Sequence, residues 1–264
     1  MSYPTQKVVV ITGGGSGIGA AVAARYAAQG DQVVLVGRRL APLQQVAAST
    51  GALVLTGDAA SAEDWAGIVF RILEAFGRID VLVTSAGSMT LGKVTDTRDE
   101  DWHSAIQGNL NTAFASARAC LPELIKTQGN IVFIASIASL AAGPEVCGYV
   151  TAKHALIGLM RSIARDYGPL GVRANAICPG WVTTPMADEE MQPVMDAWGL
   201  DLAGAYAKVT RDVPLRRAAS PDEIARVCLF LASDAASIVT GATLVADGGS
   251  TIVDVPTLAF ADLP

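Results

Sequence analysis

Tyr149 and Lys153 stand four residues apart in Tyr149-Val150-Thr151-Ala152-Lys153, a spacing that places both side chains on one helix face, one turn apart. A free tyrosine has a pKa of about 10, too high to exchange protons readily at neutral pH. A lysine ammonium ~4 Å away, at an effective dielectric of about 20, contributes roughly 4 kcal/mol. That is roughly three pKa units, so the pair is expected to bring the phenol toward working pH as a proton-transfer group. An isolated Tyr-x-x-x-Lys is also an ordinary surface helix pair. The elements around it decide between the two.

The helix that carries the pair is expected over about 149–167, after an apolar strand at 130–135 with Ser136 at its carboxyl end. In open parallel sheets, ligands bind at that edge. The thirteen-residue interval from Ser136 to Tyr149 is long enough to fold the helix back beside the strand end. Near the start, the apolar run 7–11 leads into Thr12-Gly13-Gly14-Gly15-Ser16-Gly17-Ile18-Gly19 and then an alanine-rich segment to Gln29. Strand, glycine turn and helix make a phosphate cradle, because the backbone can approach closely and the helix start offers free N–H groups. The spacing is Gly-x-x-x-Gly-x-Gly, not the commoner Gly-x-Gly-x-x-Gly.

A second strand, 32–36, ends at Gly37-Arg38-Arg39. An acidic residue at this position would hold an adenine ribose hydroxyl, whereas arginine accommodates a 2′-phosphate. Arg38 therefore points to NADP rather than NAD. Further strands are expected at 53–56, 80–84, 172–178 and 243–246, with Asp58 beyond the third and placed to accept from an adenine amino group. Helices are expected at 62–76, with Ile68, Ile72 and Phe76 as core, and at 99–126, with Trp102, Ile106, Leu110, Phe114 and Leu121 as core. Asn109 lies in the second of these and needs a polar partner. Strands alternating with helices imply a doubly wound α/β sheet of the Rossmann type in one domain spanning 1–264. The segment 185–213, rich in methionine and aromatic side chains, is expected to be a substrate lid.

Bulk properties narrow the classes. With 51% hydrophobic and 17% charged residues in 264 positions, a large core can form. A net charge of −6 argues against nucleic acid or an anionic membrane as partner. The mean hydropathy of +0.40 reflects alanine-rich helices and valine-rich strands, since no long charge-free run could span a bilayer. Four cysteines and two histidines lack ligand spacing, so no metal site is expected. No basic segment followed by an apolar signal core opens the chain, and a cytoplasmic location is expected.

Taken in order, these motifs resemble the short-chain dehydrogenase/reductase family over residues 7 to about 249. The resemblance rests on Thr12-Gly13-x-x-x-Gly17-x-Gly19, Asp58, Ala86-Gly87, Asn109, Ser136, Tyr149, Lys153, Pro179-Gly180 with Thr184, and Asp247-Gly248-Gly249. It implies that Tyr149 passes a proton to or from the substrate oxygen, and that Lys153 lowers its pKa and binds the nicotinamide ribose. It also implies that Ser136 holds the substrate oxygen and that Asn109 holds a relay water. The cofactor would lie on Gly13, Gly15, Ser16, Gly17, Ile18, Gly19, Arg38, Asp58, Ala86 and Gly87, with Pro179, Gly180, Val182 and Thr184 at the nicotinamide end. Cys147, Trp181 and Met186 would line the substrate pocket. The implied reaction interconverts a ketone and a secondary alcohol in a homotetramer or homodimer, and the tail 251–264 would reach a neighbouring subunit or pocket. Two departures stand out: Thr84-Ser85 replaces the family's frequent Asn-Asn, and Ser16 stands where many NADP-using members carry a basic residue. A cofactor sensor without turnover, a dehydratase or epimerase on the same fold, and an NAD-dependent alcohol dehydrogenase are the alternatives.

Overall fold

The computed structural model describes residues 6–260. Its centre is a seven-stranded, all-parallel sheet in the order β3-β2-β1-β4-β5-β6-β7. The strands are β1 (Val8–Thr12), β2 (Gln32–Gly37), β3 (Leu53–Thr56), β4 (Val81–Thr84), β5 (Asn130–Ile134), β6 (Arg173–Pro179) and β7 (Thr243–Ala246). The inner strands are continuous Val, Ile and Leu runs because helices cover both faces, so no alternation with polar residues is needed. Every residue of β1 and β4 is buried.

One face packs Val9, Ile11, Val33 and Leu35 against helices α1 (Gly17–Ala28), α2 (Leu40–Thr50) and α10 (Pro221–Leu231). The other packs Val8, Val10, Leu82 and Phe133 against α3 (Ala62–Phe76), α5 (Thr112–Thr127) and α6 (Cys147–Tyr167). Capping fixes where several helices begin. Ser61 accepts the Asp64 N–H at the start of α3, and Ser220 with Glu223 forms a reciprocal capping box ahead of Pro221 in α10.

The expected helix over 99–126 is three pieces: α4 (Asp99–Ile106), a π-helical turn at Gln107–Asn111, and α5. Two of its expected core residues are corrected as well. Trp102 is 38% exposed and Phe114 46% exposed, whereas Leu121 is buried. The π-turn adds a residue to the turn and shifts the helical phase, so a single stripe counted through it does not stay on the inward face. The segment 185–213 forms three short helices, α7 (Pro185–Glu190), α8 (Gln192–Trp198) and α9 (Leu202–Val209). Among the described residues, no helix is long and apolar enough to cross a membrane. Residues 261–264 of the expected tail lie outside the described residues; its 250–260 portion is two short 3-10 turns with Ile252, Val255 and Phe260 exposed.

Candidate active site

The glycine turn sits where the strand order reverses, between β1 and its neighbours β2 and β4, the position at which such sheets bind ligands. Gly13 adopts φ +65°, and a Cβ there would lie 2.9 Å from the Ala86 backbone. A Cβ on Gly19 would lie 2.5 Å from the Gly13 carbonyl oxygen. Only glycine fits both. The Thr12 hydroxyl accepts the Ser85 and Ala86 N–H groups at 3.1 and 3.2 Å, fixing the turn to the end of β4. Ser16 caps α1 from an extended conformation without a side-chain hydrogen bond, and no acidic residue occupies the first turn. The helix start therefore keeps free N–H groups and positive potential for an anion. Gly15 packs beside Pro42, and Gly17 beside the Thr184 methyl group. Ile18 packs partly buried against the core beneath. These features fit a dinucleotide pyrophosphate.

At the flank of this cradle, Arg38 is exposed, with no hydrogen bond or ion pair among the described residues. Asp58 accepts the Ala60 N–H at 2.9 Å through one carboxylate oxygen. On the other side, Pro179 ends β6, and Gly180 packs against Asp247, whose carboxylate accepts the Gly249 and Thr251 N–H groups. Val182 is buried and bridges to Ala219. Thr184 caps α7, its hydroxyl accepting the Ala187 N–H at 3.2 Å.

The four side chains singled out for chemistry come together at the carboxyl end of β4 and β5. Ser136 follows β5 and accepts the Ala138 N–H at 3.1 Å through its hydroxyl oxygen, which leaves its own proton free to donate. Lys153 is 5% exposed, donates to the Ile134 carbonyl at 3.2 Å, and lies 5.5 Å from the Tyr149 ring centroid. Asn109 is buried on the π-turn; its amide donates to the Ser88 and Ala105 carbonyls and accepts the Ser88 N–H. Gly87 leaves the gap between them: a Cβ there would lie 3.1 Å from Asn109 Oδ1 and 3.7 Å from Lys153 Nζ.

Burial works against the attraction between the Tyr149 and Lys153 side chains. Burial pushes the Tyr149 phenol up to about 12, against the Ser136 hydroxyl, which lowers it, and together with the Glu190 charge, which raises it. Burial draws the Lys153 ammonium down to about 8 as well, so it remains mostly cationic at neutral pH. In the protein alone, loss of water outweighs the attraction computed for a solvated pair.

The expected pocket residues differ in exposure. Cys147 and Trp181 are half-buried, Met186 is 41% exposed, and the Cys147 thiol lies 3.2 Å from the Thr97 hydroxyl. One charged residue escaped the sequence reading. Glu190 is half-buried at the end of α7, and its charge raises the Tyr149 phenol; Tyr206 of α9, within the expected lid, donates to Asp188 at 2.7 Å. Among the described residues, no group of three or more His, Cys, Asp and Glu could hold a metal ion.

A family model described as enoyl-(acyl carrier protein) reductase matches residues 13–251. The chain is 59% identical to Protein MoaE of Klebsiella aerogenes, over 97% of this chain and 99% of that protein. It is 37% identical to meso-2,3-butanediol dehydrogenase of Serratia marcescens, over 94% of this chain and 96% of that enzyme. Among solved structures, L-sorbose reductase from Gluconobacter frateurii complexed with NADPH and L-sorbose matches with a TM-score of 0.89 at 30% identity, over 94% of this chain and 98% of that one. Given the parallel sheet, the glycine turn at its switch point and relatives named as dehydrogenases and reductases, the chain belongs to the short-chain dehydrogenase/reductase family and is an oxidoreductase.

Proposed function

We propose that this enzyme interconverts a ketone and a secondary alcohol with NADP(H), using Ser136, Tyr149, Lys153 and Asn109. The observation that carries the reading is the convergence of a Ser136-linked Tyr149 phenol and a buried Lys153 ammonium beside the glycine cradle. The nicotinamide, when bound, supplies or takes up the two electrons and hydrogen exchanged at the carbon.

The chain's residues handle binding and protons. Gly13, Gly15, Gly17 and Gly19, with the N–H groups of Ser16 and Ile18, receive the pyrophosphate, and Ala86 with Gly87 forms the opposite wall. Arg38, without a partner among the described residues, takes the 2′-phosphate, and Asp58 takes the adenine amino group. Pro179, Gly180, Val182 and Thr184 border the nicotinamide end. In ketone reduction the Ser136 proton donates to the carbonyl oxygen and orients it. Tyr149, fully protonated at neutral pH, gives its phenolic proton to that oxygen as negative charge develops there. Lys153 then stabilises the phenolate left behind. The gap at Gly87 admits a water between Asn109 and Lys153 that returns the proton from solvent. Helices α7–α9 act as the lid of one dinucleotide-binding domain, with Cys147, Trp181 and Met186 around an apolar substrate. The exposed Trp102 and Phe114 suit burial between copies in a dimer or tetramer, and a cytoplasmic location suits four unpaired cysteines.

The test is ketone-dependent oxidation of NADPH and NADH across small aliphatic, aryl and bulky cyclic ketones, with wild type, Tyr149→Phe and Arg38→Leu. Turnover lost in Tyr149→Phe, with NADPH preferred only while Arg38 is present, is the expected result. Tight cofactor binding without turnover of any ketone favours a sensor, and NADH preference overturns the role of Arg38 alone.

A further inference from the structure

Lid helices α7 and α9 and the turn at 216–218 border an open cavity of about 550 Å³, a size that suits a small molecule. None of the residues assigned above to cofactor, chemistry or substrate lines it. Thr183 does, although its neighbours Val182 and Thr184 border the nicotinamide end; alternate side chains of an extended segment face opposite ways. The body of the cavity is apolar. Helix α9 presents Leu202, Ala203, Tyr206 and Ala207 to it, a stripe at helical spacing in which the two alanines leave room. Ala205 is buried on the other face of the same helix, whereas Leu202 stays 37% exposed beside the hollow.

The polar end of the cavity is Arg216. Its backbone is left-handed, φ +56°, which residues other than glycine seldom adopt, and its N–H donates to the Val213 carbonyl at 2.8 Å. The guanidinium makes no hydrogen bond among the described residues. Its ion pair with Asp212 is long, 3.8 Å, and Arg211 already donates to that carboxylate at 3.0 Å. The other charges on the wall are committed. Arg217 donates to both Glu223 oxygens at 2.8 and 2.7 Å, and Asp188 accepts the Tyr206 hydroxyl at 2.7 Å. An uncommitted guanidinium at the rim of an apolar hollow matches a carboxylate with an apolar body.

We propose that this cavity is a second binding site, for a small organic carboxylate whose acid group pairs with Arg216 and whose apolar body lies along α9. The site is independent of the ketone–alcohol reading and stands or falls on binding alone. A ligand there joins α9 to the 216–218 turn and holds the lid against the chain at Thr183.

The experiment is calorimetric titration, with and without NADPH, of phenylacetate, phenethylamine and 2-phenylethanol, which share an apolar body and differ in charge. Wild type is expected to bind phenylacetate ~3- to 10-fold more tightly than 2-phenylethanol, between an exposed ion pair and a charge-assisted hydrogen bond. Arg216→Asn, which tolerates the left-handed backbone, brings that ratio near one, and Arg216→Glu turns the preference to phenethylamine. Ala207→Leu, at an exposed position, fills the hollow and weakens phenylacetate and 2-phenylethanol together. Arg71→Gln, a charge change on the distant exposed side of α3, leaves all three in place. Phenylacetate bound no more tightly than 2-phenylethanol, a ratio kept in Arg216→Asn, or an affinity kept in Ala207→Leu overturns the proposal, as does an equal loss in Arg71→Gln. Should Ala207→Leu fail to fold, Ala203→Leu, also exposed, decides in its place. Ketone turnover measured alongside bears on the catalytic reading alone.

Discussion

The glycine turn between β1 and α1 and the cluster at the ends of β4 and β5 build their halves of the site by opposite means. The first is defined by missing atoms: a Cβ on Gly19 or Gly13 would collide with backbone. Its binding groups are main-chain N–H groups that any sequence possesses. The second is defined by side chains brought out of water, with Lys153 and Asn109 almost wholly buried and Tyr149 titrating near 12. A cradle made of backbone is sensitive to volume, whereas a cluster of buried polar groups is sensitive to protons and charge. The two halves should therefore fail differently.

The largest effect is expected in the side-chain half. Tyr149→Phe should lower turnover by ~10²- to 10⁴-fold, the usual contribution of a positioned acid or base, while a fluorescence titration finds cofactor binding intact. Loss of both together would erase the distinction. Gly19→Ala should do the converse, weakening cofactor binding and lowering stability by ~1–3 kcal/mol through overpacking, as seen in denaturant unfolding with and without NADPH. Unchanged binding there would mean the turn is looser than its contacts indicate.

A pH profile sharpens the contrast further. Lys153 is cationic below about 8 and neutral above it, whereas Tyr149 stays protonated until about 12. The cation supports the phenolate, so ketone reduction should be level below pH 8 and fall about tenfold per unit above it. A decline that begins only near 12 would assign the limb to Tyr149 and remove Lys153 from the proton step. The smallest effect concerns the scaffold that joins the two halves. The Thr84 hydroxyl at the end of β4 is buried without a hydrogen-bond partner among the described residues, where the family often places an asparagine. Thr84→Val removes this orphan and should raise stability by ~1 kcal/mol, roughly 2–4 °C in thermal midpoint for a chain of this size. A lower midpoint would show that the hydroxyl has an unseen partner, such as water.

The same contrast explains what the sequence made legible. Glycines at fixed intervals between an apolar strand and a helix announce the cradle, because the constraint is local. Ser136, Tyr149 and Lys153 could be placed because strand end, loop length and helix spacing are local too. The phenol's pKa was not legible, since it depends on how much water the fold removes, and a lysine that would lower it is itself desolvated. The π-turn hid the exposure of Trp102 and Phe114. The Glu190 charge went unread because its effect on the phenol depends on how close α7 comes to a site formed by distant strands.

The neighbours β1 and β4 meet across a wide interval of chain: the Val8 N–H bonds the Asp80 carboxylate 72 positions later, and Thr12 anchors Ser85 and Ala86. During synthesis the glycine turn exists long before its opposite wall, and an unfinished chain offers a cofactor only half a cleft. Closing so long a loop costs entropy before any contact offsets it. Dinucleotide therefore cannot template the early steps of folding. It can only hold the finished sheet together by mass action, and added NADPH should slow unfolding far more than it speeds refolding.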